Sequence, residues 1–225
     1  MRVFAHIRNS HYVNHPGAPA MYRQVKTTPR KRPRQARSQA TVDSILAATT
    51  RVLIRHGFDG LTTNAVAELA GVSIGSLYQY FPNKEALVAA LIEHTVERWN
   101  AITLTELGRV AALPIAEAVR AMIELTIQFY SEQPALHRVL LEQVPRVGRL
   151  ARIVELHEHT QQVTATLLAS RKRELAIGDP EMAAFVLLSA IDAIVQRATL
   201  IKPERLRDPA LLDETTAMVT RYLGV

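Results

Sequence analysis

Apolar residues recur at helical spacing along almost the whole chain, and no stretch alternates at the period of a half-buried strand. Periodicity begins near Ser38, where Ile45, Ala48, Val52 and Leu53 form one stripe, and Gly57 reads as the C-terminal cap of that helix. Two short helices follow. Thr62 or Thr63 caps residues 64–70, Gly71 breaks the pattern, and Ser73 caps residues 74–80. Pro82 and Asn83 punctuate, and a long helix starts at Lys84 and runs to about residue 107. Pro114 opens a helix to about residue 132, with Met122, Leu125 and Phe129 on one face, and Pro134 opens the next, to roughly residue 144. A helix over 149–175 lies between Gly148 and Gly178. Asp179–Pro180 and Asp208–Pro209 are starts for the last two, ending near residues 201 and 223. The expectation is an all-α chain of about nine helices with no internal repeat. It divides into a basic arm, 1–37, a three-helix unit, 38–91, and a helical body, 92–225.

The short pair has a particular logic. Ala67 is small enough for a second helix to approach, and Gly71 can take the positive φ of a tight turn. Val72 and Leu77 fill the space between, with Val66 and Leu69 expected inward. This is the spacing a helix-turn-helix needs. The second helix then carries Ser73, Ile74, Gly75, Ser76, Tyr78, Gln79 and Tyr80 outside that core, with no acid among them. An acid-free polar face can enter the negative potential of a major groove. A plain αα-hairpin with a polar outer face is the competing interpretation.

Composition sharpens this picture. In 225 residues, 48% hydrophobic, there is apolar material for one large or two small cores. The absence of cysteine removes disulfides and thiolate metal sites. Residues 1–20 have no apolar run of signal-peptide length, and the longest apolar stretch, 183–201, is interrupted by Asp192, Gln196 and Arg197. A soluble, cytoplasmic chain with no membrane partner is therefore expected. The net charge of +6 sits unevenly: residues 1–37 hold nine Lys or Arg and no acid, leaving 18 basic against 21 acidic residues elsewhere. With Pro16, Pro19, Pro29 and Pro33 and no apolar period, the arm reads as unstructured, either a solvated tail or a polyanion contact. Met21 is an alternative start within it.

The residues Leu61-Thr62-Thr63, Ala70-Gly71-Val72-Ser73, Gly75-Ser76-Leu77-Tyr78 and Tyr80-Phe81 with Lys84, Glu85 and Leu87 resemble the signature of the tetracycline-repressor (TetR) family over about 41–91. The resemblance implies a homodimeric transcriptional regulator with one helix-turn-helix and one ligand-binding body per subunit. It implies that the last two helices pair between subunits and that Thr63, Asn64, Ile74, Gly75, Ser76, Tyr78, Tyr80 and Lys84 fall at DNA-contacting positions. Tyr78, Tyr80 and Lys84 would hold phosphates, and Asn64, Ile74 and Ser76 would lie nearer base edges. Ser73 and Gln79 join them by chemistry, Gln79 as a base reader. The implied partners are double-stranded operator DNA and an unidentified small molecule, with no cofactor.

The body must be read on its own residues. Trp99 on the long helix, Met122, Thr126, Phe129 and Tyr130 on the next, His157, Thr160 and Thr164 on 149–175, and Asp192 beyond are candidates to line an apolar cavity with a few polar anchors. A packed core with satisfied polar groups is the alternative. His157-Glu158-His159 invites a metal interpretation, but residues two apart on a helix do not face one another, so no metal site is expected. No nucleophile elbow, phosphate loop or paired acid–base spacing suggests an enzyme. A nucleoid-like binder using the arm alone would not need a defined recognition helix.

Overall fold

In the computed structural model, residues 36–147 and 150–225 are described, with side chains over 38–143 and 158–225. The basic arm and the side chain of His157 lie outside the described residues. Among the described residues there are nine α-helices, two short 3-10 turns and no strand. The helices are α1 (Ala36–Gly60), α2 (Thr63–Ala70), α3 (Ile74–Tyr80), α4 (Lys84–Val110), α5 (Ile115–Glu132), α6 (Pro134–Val147), α7 (Leu150–Ser170), α8 (Pro180–Ile201) and α9 (Pro209–Leu223).

The starts and stops follow local chemistry. Gly57 takes φ 66°, which ends the regular part of α1, and a last turn carries the chain to Gly60. The hydroxyl of Thr62 accepts from the Ala65 amide at 3.2 Å, and Gly71, at φ 68°, closes α2. Asn83, Asp179 and Asp208 cap α4, α8 and α9 in the same way, each with a side-chain oxygen on a first-turn amide. α7 stops at Ser170, earlier than the apolar pattern predicts. Arg171 and a 3-10 turn, Lys172–Glu174, take over because Arg171 is drawn to Glu174 and to the Leu113 carbonyl.

Two clusters form the interior. The N-terminal one joins Ile45, Val52 and Leu53 of α1, Val66 of α2, Leu77 of α3 and Leu87, Val88 and Leu91 of α4. Leu136 and Leu140 of α6 are buried in the same cluster, so the second half of the chain contributes to it. The other cluster joins Ile123 and Ile127 of α5, Leu187 and Val195 of α8, and Val219 and Leu223 of α9. α8 is the one helix among the described residues long and apolar enough to cross a membrane, and it packs against α5, α6 and α7.

Leu69 departs from expectation: it is 47% exposed. The buried face of α2 runs through Val66, Ala67 and Ala70, and Leu69 sits about 100° round the helix from it.

Candidate nucleic-acid interface and body cavity

α2 and α3 are fastened at both ends. Val66 and Leu77 meet in the core, and at the surface the Thr63 hydroxyl lies 3.1 Å from the Tyr78 hydroxyl, bridging the two helices. Ser73 begins α3. Its Oγ accepts from the Ser76 amide at 3.1 Å and lies 2.8 Å from the Ser76 hydroxyl. Substituting such a cap by alanine costs about 1 kcal/mol. Asn64, Ser73, Ile74, Gly75, Tyr78 and Gln79 are exposed, and Thr63 and Ser76 half-buried. These eight of the ten predicted positions are accessible on the recognition pair.

Gly75 has no close neighbour among the described residues. It sits inside a helix, where glycine costs about 1 kcal/mol relative to alanine, and an added Cβ would meet only the Ser73 Oγ, at 3.9 Å.

The other two predicted positions are placed differently. Tyr80 was expected on the outer face, but it is 8% exposed and belongs to the N-terminal core. It lies three residues after Leu77 and so shares that residue's inward face. Lys84 is half-buried, and its Nζ donates to the Phe58 carbonyl at 3.0 Å while lying 4.5 Å from the centre of the Phe58 ring. Its charge ties the start of α4 to the end of α1.

In the body, a cavity of about 320 Å³ lies between α4, α5, α7, α8 and α9. Of the predicted ligand residues, it brings together Trp99, Met122, Thr126, Thr160, Thr164 and Asp192. Leu188 and Ile191 of α8, one of the two helices expected to pair between subunits, also line this cavity. Met182, Phe185, Val186 and Ile201 of α8 and Met218 and Tyr222 of α9 are the exposed large apolar side chains of the last two helices, Phe185 also touching the cavity.

Phe129 and Tyr130 are not on the cavity wall. They join Trp99 and a residue the pattern did not single out, His137, in an aromatic cluster. Ring centres lie 4.7 Å apart for Trp99 and Phe129, 4.8 Å for Phe129 and His137, and 4.7 Å for Tyr130 and His137. Phe129 turned away because α6 folds back after the Pro134 break and sets His137 against it. His137 is 4% exposed, and its Nδ1 has no hydrogen-bond partner among the described residues. Burial, with the Arg98 charge, pushes its pKa down to about 4, against a smaller opposing pull from Glu132. Arg98 pairs with Glu132 beside the cluster. Burial, assisted by the charge of Asp192, pushes the Tyr130 phenol up to about 12, a hydrogen bond with Gln196 opposing it.

No group of three or more His, Cys, Asp or Glu among the described residues could hold a metal ion.

Two family models match the chain. Residues 45–91 match "Bacterial regulatory proteins, tetR family" and residues 114–223 match "Tetracyclin repressor-like, C-terminal domain". An uncharacterised HTH-type transcriptional regulator of Bacillus subtilis, YwcC, is 24% identical over 178 residues, 74% of this chain and 80% of that protein. The Escherichia coli HTH-type transcriptional regulator RutR is 32% identical over 115 residues, so the chain spans about half the length of that relative, 51% of each. Among solved structures, a Mesorhizobium loti protein described as a TetR-family regulator superposes with a TM-score of 0.70 at 23% identity, covering 84% of this chain and 98% of that one. The fatty acid degradation regulator FadR of Bacillus halodurans gives 0.64 at 18% identity, over 84% and 96%. At these identities the structural likeness speaks for the fold alone. With an intact helix-turn-helix and both family models matched, the chain belongs to the TetR family of DNA-binding transcriptional regulators, which are not enzymes.

Proposed function

We propose that this regulator is a homodimeric repressor, held on an imperfect palindromic operator and released when a small, mostly apolar molecule occupies the body cavity. The observation that carries the proposal is the continuity of α4. Its first turns pack in the N-terminal core through Leu87, Val88 and Leu91, and its later turns wall the cavity through Trp99, Thr103, Leu107 and Val110. A rigid helix shared by both regions converts a displacement at Trp99 into a displacement of α3. A second connection supports the same coupling: Trp99 packs at a tilt against Phe129, Phe129 against His137, and the neighbours of His137 on α6, Leu136 and Leu140, are buried in the N-terminal core.

On the operator, Thr63 and Tyr78 hold phosphates, while Asn64, Ile74, Ser76 and Gln79 face base edges and Gly75 permits close approach. Tyr80 is assigned to the core instead, and Lys84 to holding α4. The exposed apolar residues of α8 and α9 are covered by the same residues of a second copy, because a twofold axis makes one patch serve both sides. Two recognition helices then read half-sites about 34–36 Å apart, a spacing that tolerates little change. The basic arm adds affinity through phosphate charge, in the cytoplasm where the operator lies.

Release requires only that ligand favour the non-binding spacing, and coupling of about 1–3 kcal/mol is typical. The test is a titration of operator-bound protein with apolar compounds, following Trp99 fluorescence and the anisotropy of labelled DNA together. Trp99 is the only tryptophan, so its signal reports this helix. The expected result is that both signals move at the same ligand concentration. Saturation of the Trp99 signal with DNA anisotropy unchanged would overturn the proposal.

A further inference from the structure

The polar groups on the cavity wall are not equivalent. Arg171 is the one Lys or Arg among the described lining residues, and its guanidinium is already engaged. It donates to the Leu113 carbonyl at 2.7 Å and to the two carboxylate oxygens of Glu174 at 3.2 and 2.9 Å. Asp192, the one described carboxylate on the wall, is itself engaged within the protein. Among the described residues the charges on the wall are thus already answered, and an ion buried without its own partner is strongly disfavoured.

The hydroxyls differ in the same respect. Thr126 donates to the Met122 carbonyl and Thr164 to the Thr160 carbonyl, each at 2.8 Å. On α4, Thr95 and Thr105 do likewise with Leu91 and Ala101, at 2.8 and 2.9 Å. Bonding to the carbonyl four residues back is the ordinary resting place of a helical threonine hydroxyl. Thr103 departs from it. It lines the cavity, is 3% exposed, and its Oγ1 is covered and has no hydrogen-bond partner among the described residues. A buried hydroxyl left unpaired destabilises the fold, and valine has the same shape without that cost. A group that breaks the local rule at a binding cavity points to a role in binding.

From this we infer that the effector is an uncharged, mostly apolar molecule carrying a hydrogen-bond acceptor, such as a ketone or ester carbonyl, that receives the Thr103 hydroxyl once that side chain rotates from its covered position towards the cavity. The inference rests on the reading of the cavity as the effector site. It distinguishes this cavity from one built for an acyl carboxylate, which would need a cation that is not already engaged, and the described wall residues offer none. At about 320 Å³ the cavity is at the small end of ligand sites, which run from about 300 to 1,000 Å³.

The experiment compares 2-ketones with the matching carboxylates and primary amines, in chains of about six to twelve carbons to suit a small pocket. Quenching of Trp99 in the full chain at neutral pH is the readout. Ketones are expected to saturate the signal, with carboxylates and amines at least about tenfold weaker, a gap of about 1.4 kcal/mol. Thr103→Val should weaken ketone binding about three- to tenfold, the worth of one neutral hydrogen bond. The same change should raise the melting temperature of the ligand-free protein by about 2–4 °C. A purely structural Thr103 would give a lower melting temperature on substitution.

The inference is overturned if a carboxylate or amine binds as tightly as its ketone. It is also overturned if Thr103→Val leaves ketone affinity unchanged, or if no member of the series quenches Trp99. Ketone binding that leaves the operator complex intact would instead defeat the repressor-release proposal and leave the Thr103 assignment standing.

Discussion

In the N-terminal unit, Leu61, Val66, Leu77 and Phe81 are almost wholly buried, and two short helices are clamped between α1 and α4 with an outer face of small and polar side chains. The body uses longer helices and leaves an internal cavity, with half-buried Met122, Leu188 and Ile191 on its wall and an aromatic cluster at the boundary. The first region is packed to hold one geometry. The second retains space and unpartnered polar atoms at Thr103 and His137. The contrast suits the proposed division of tasks: DNA recognition needs a fixed α3, whereas a ligand can shift only a region that has more than one arrangement available.

Four measurements sharpen or break that contrast. The largest effect is expected outside both cores, on the exposed face of α8 and α9. Phe185→Arg or Met218→Arg would bury an unpaired charge at the proposed subunit contact, and twice, since the axis repeats it. A loss of about 3–5 kcal/mol per charge is expected, so sedimentation should report monomer. Because Met218 does not line the cavity, its effect is independent of ligand binding. A dimer unaffected by both changes would place the interface elsewhere.

The second compares the same kind of truncation in the two regions. Leu77→Ala removes a fully buried side chain from a filled core and should cost about 2–5 kcal/mol in urea denaturation. Met122→Ala enlarges a cavity that is already present and should cost about 1 kcal/mol. Equal costs would show the two regions to be packed alike.

The third uses the boundary cluster. His137 has a folded-state pKa of about 4 against 6.5 for the free side chain, so the folded protein binds fewer protons than the unfolded one. Its contribution is complete above about pH 6.5 and is lost as pH falls from there towards 4, by about 3 kcal/mol at most. His137→Phe keeps an aromatic ring against Phe129 and removes the titration. Thermal melts between pH 4 and 7, compared for the two proteins at constant ionic strength, should show a flatter pH profile for the variant. An unchanged profile would remove His137 from the account.

The smallest effect is on sequence reading. Gln79→Ala should relax base preference at one or two operator positions at a cost of about 1–3 kcal/mol, measured by binding-site selection. An unchanged selection profile would leave Gln79 as a solvated residue.

The recognition unit was largely legible because its determinants are local. Caps at Thr62 and Ser73, the turn at Gly71 and the absence of acids from α3 are each visible within a few residues. Where that reading failed, the helices were too short for periodicity to settle which face turns inward: Leu69 was expected inside and is exposed, and Tyr80 the reverse. The cavity was partly legible, since Trp99, Met122, Thr126, Thr160, Thr164 and Asp192 do converge. Phe129 and Tyr130 did not, because whether an apolar residue faces a cavity or a neighbouring ring depends on a helix distant in sequence. The one signal that could have flagged the cluster was His137 following Phe129 and Tyr130 across the Pro134 break.

By itself, then, the amino-acid order determined an all-helical chain, the ends of most helices, and a helix-turn-helix whose outer face suits DNA. Each of these follows from contacts within about one or two turns of helix. Only the tertiary structure decided which hydroxyl on the cavity wall lacks a partner, that Arg171 is held by Glu174 and Leu113, and that α6 completes the N-terminal core. Those are properties of pairs and groups of side chains brought together from distant segments, and no local pattern encodes which of them will meet.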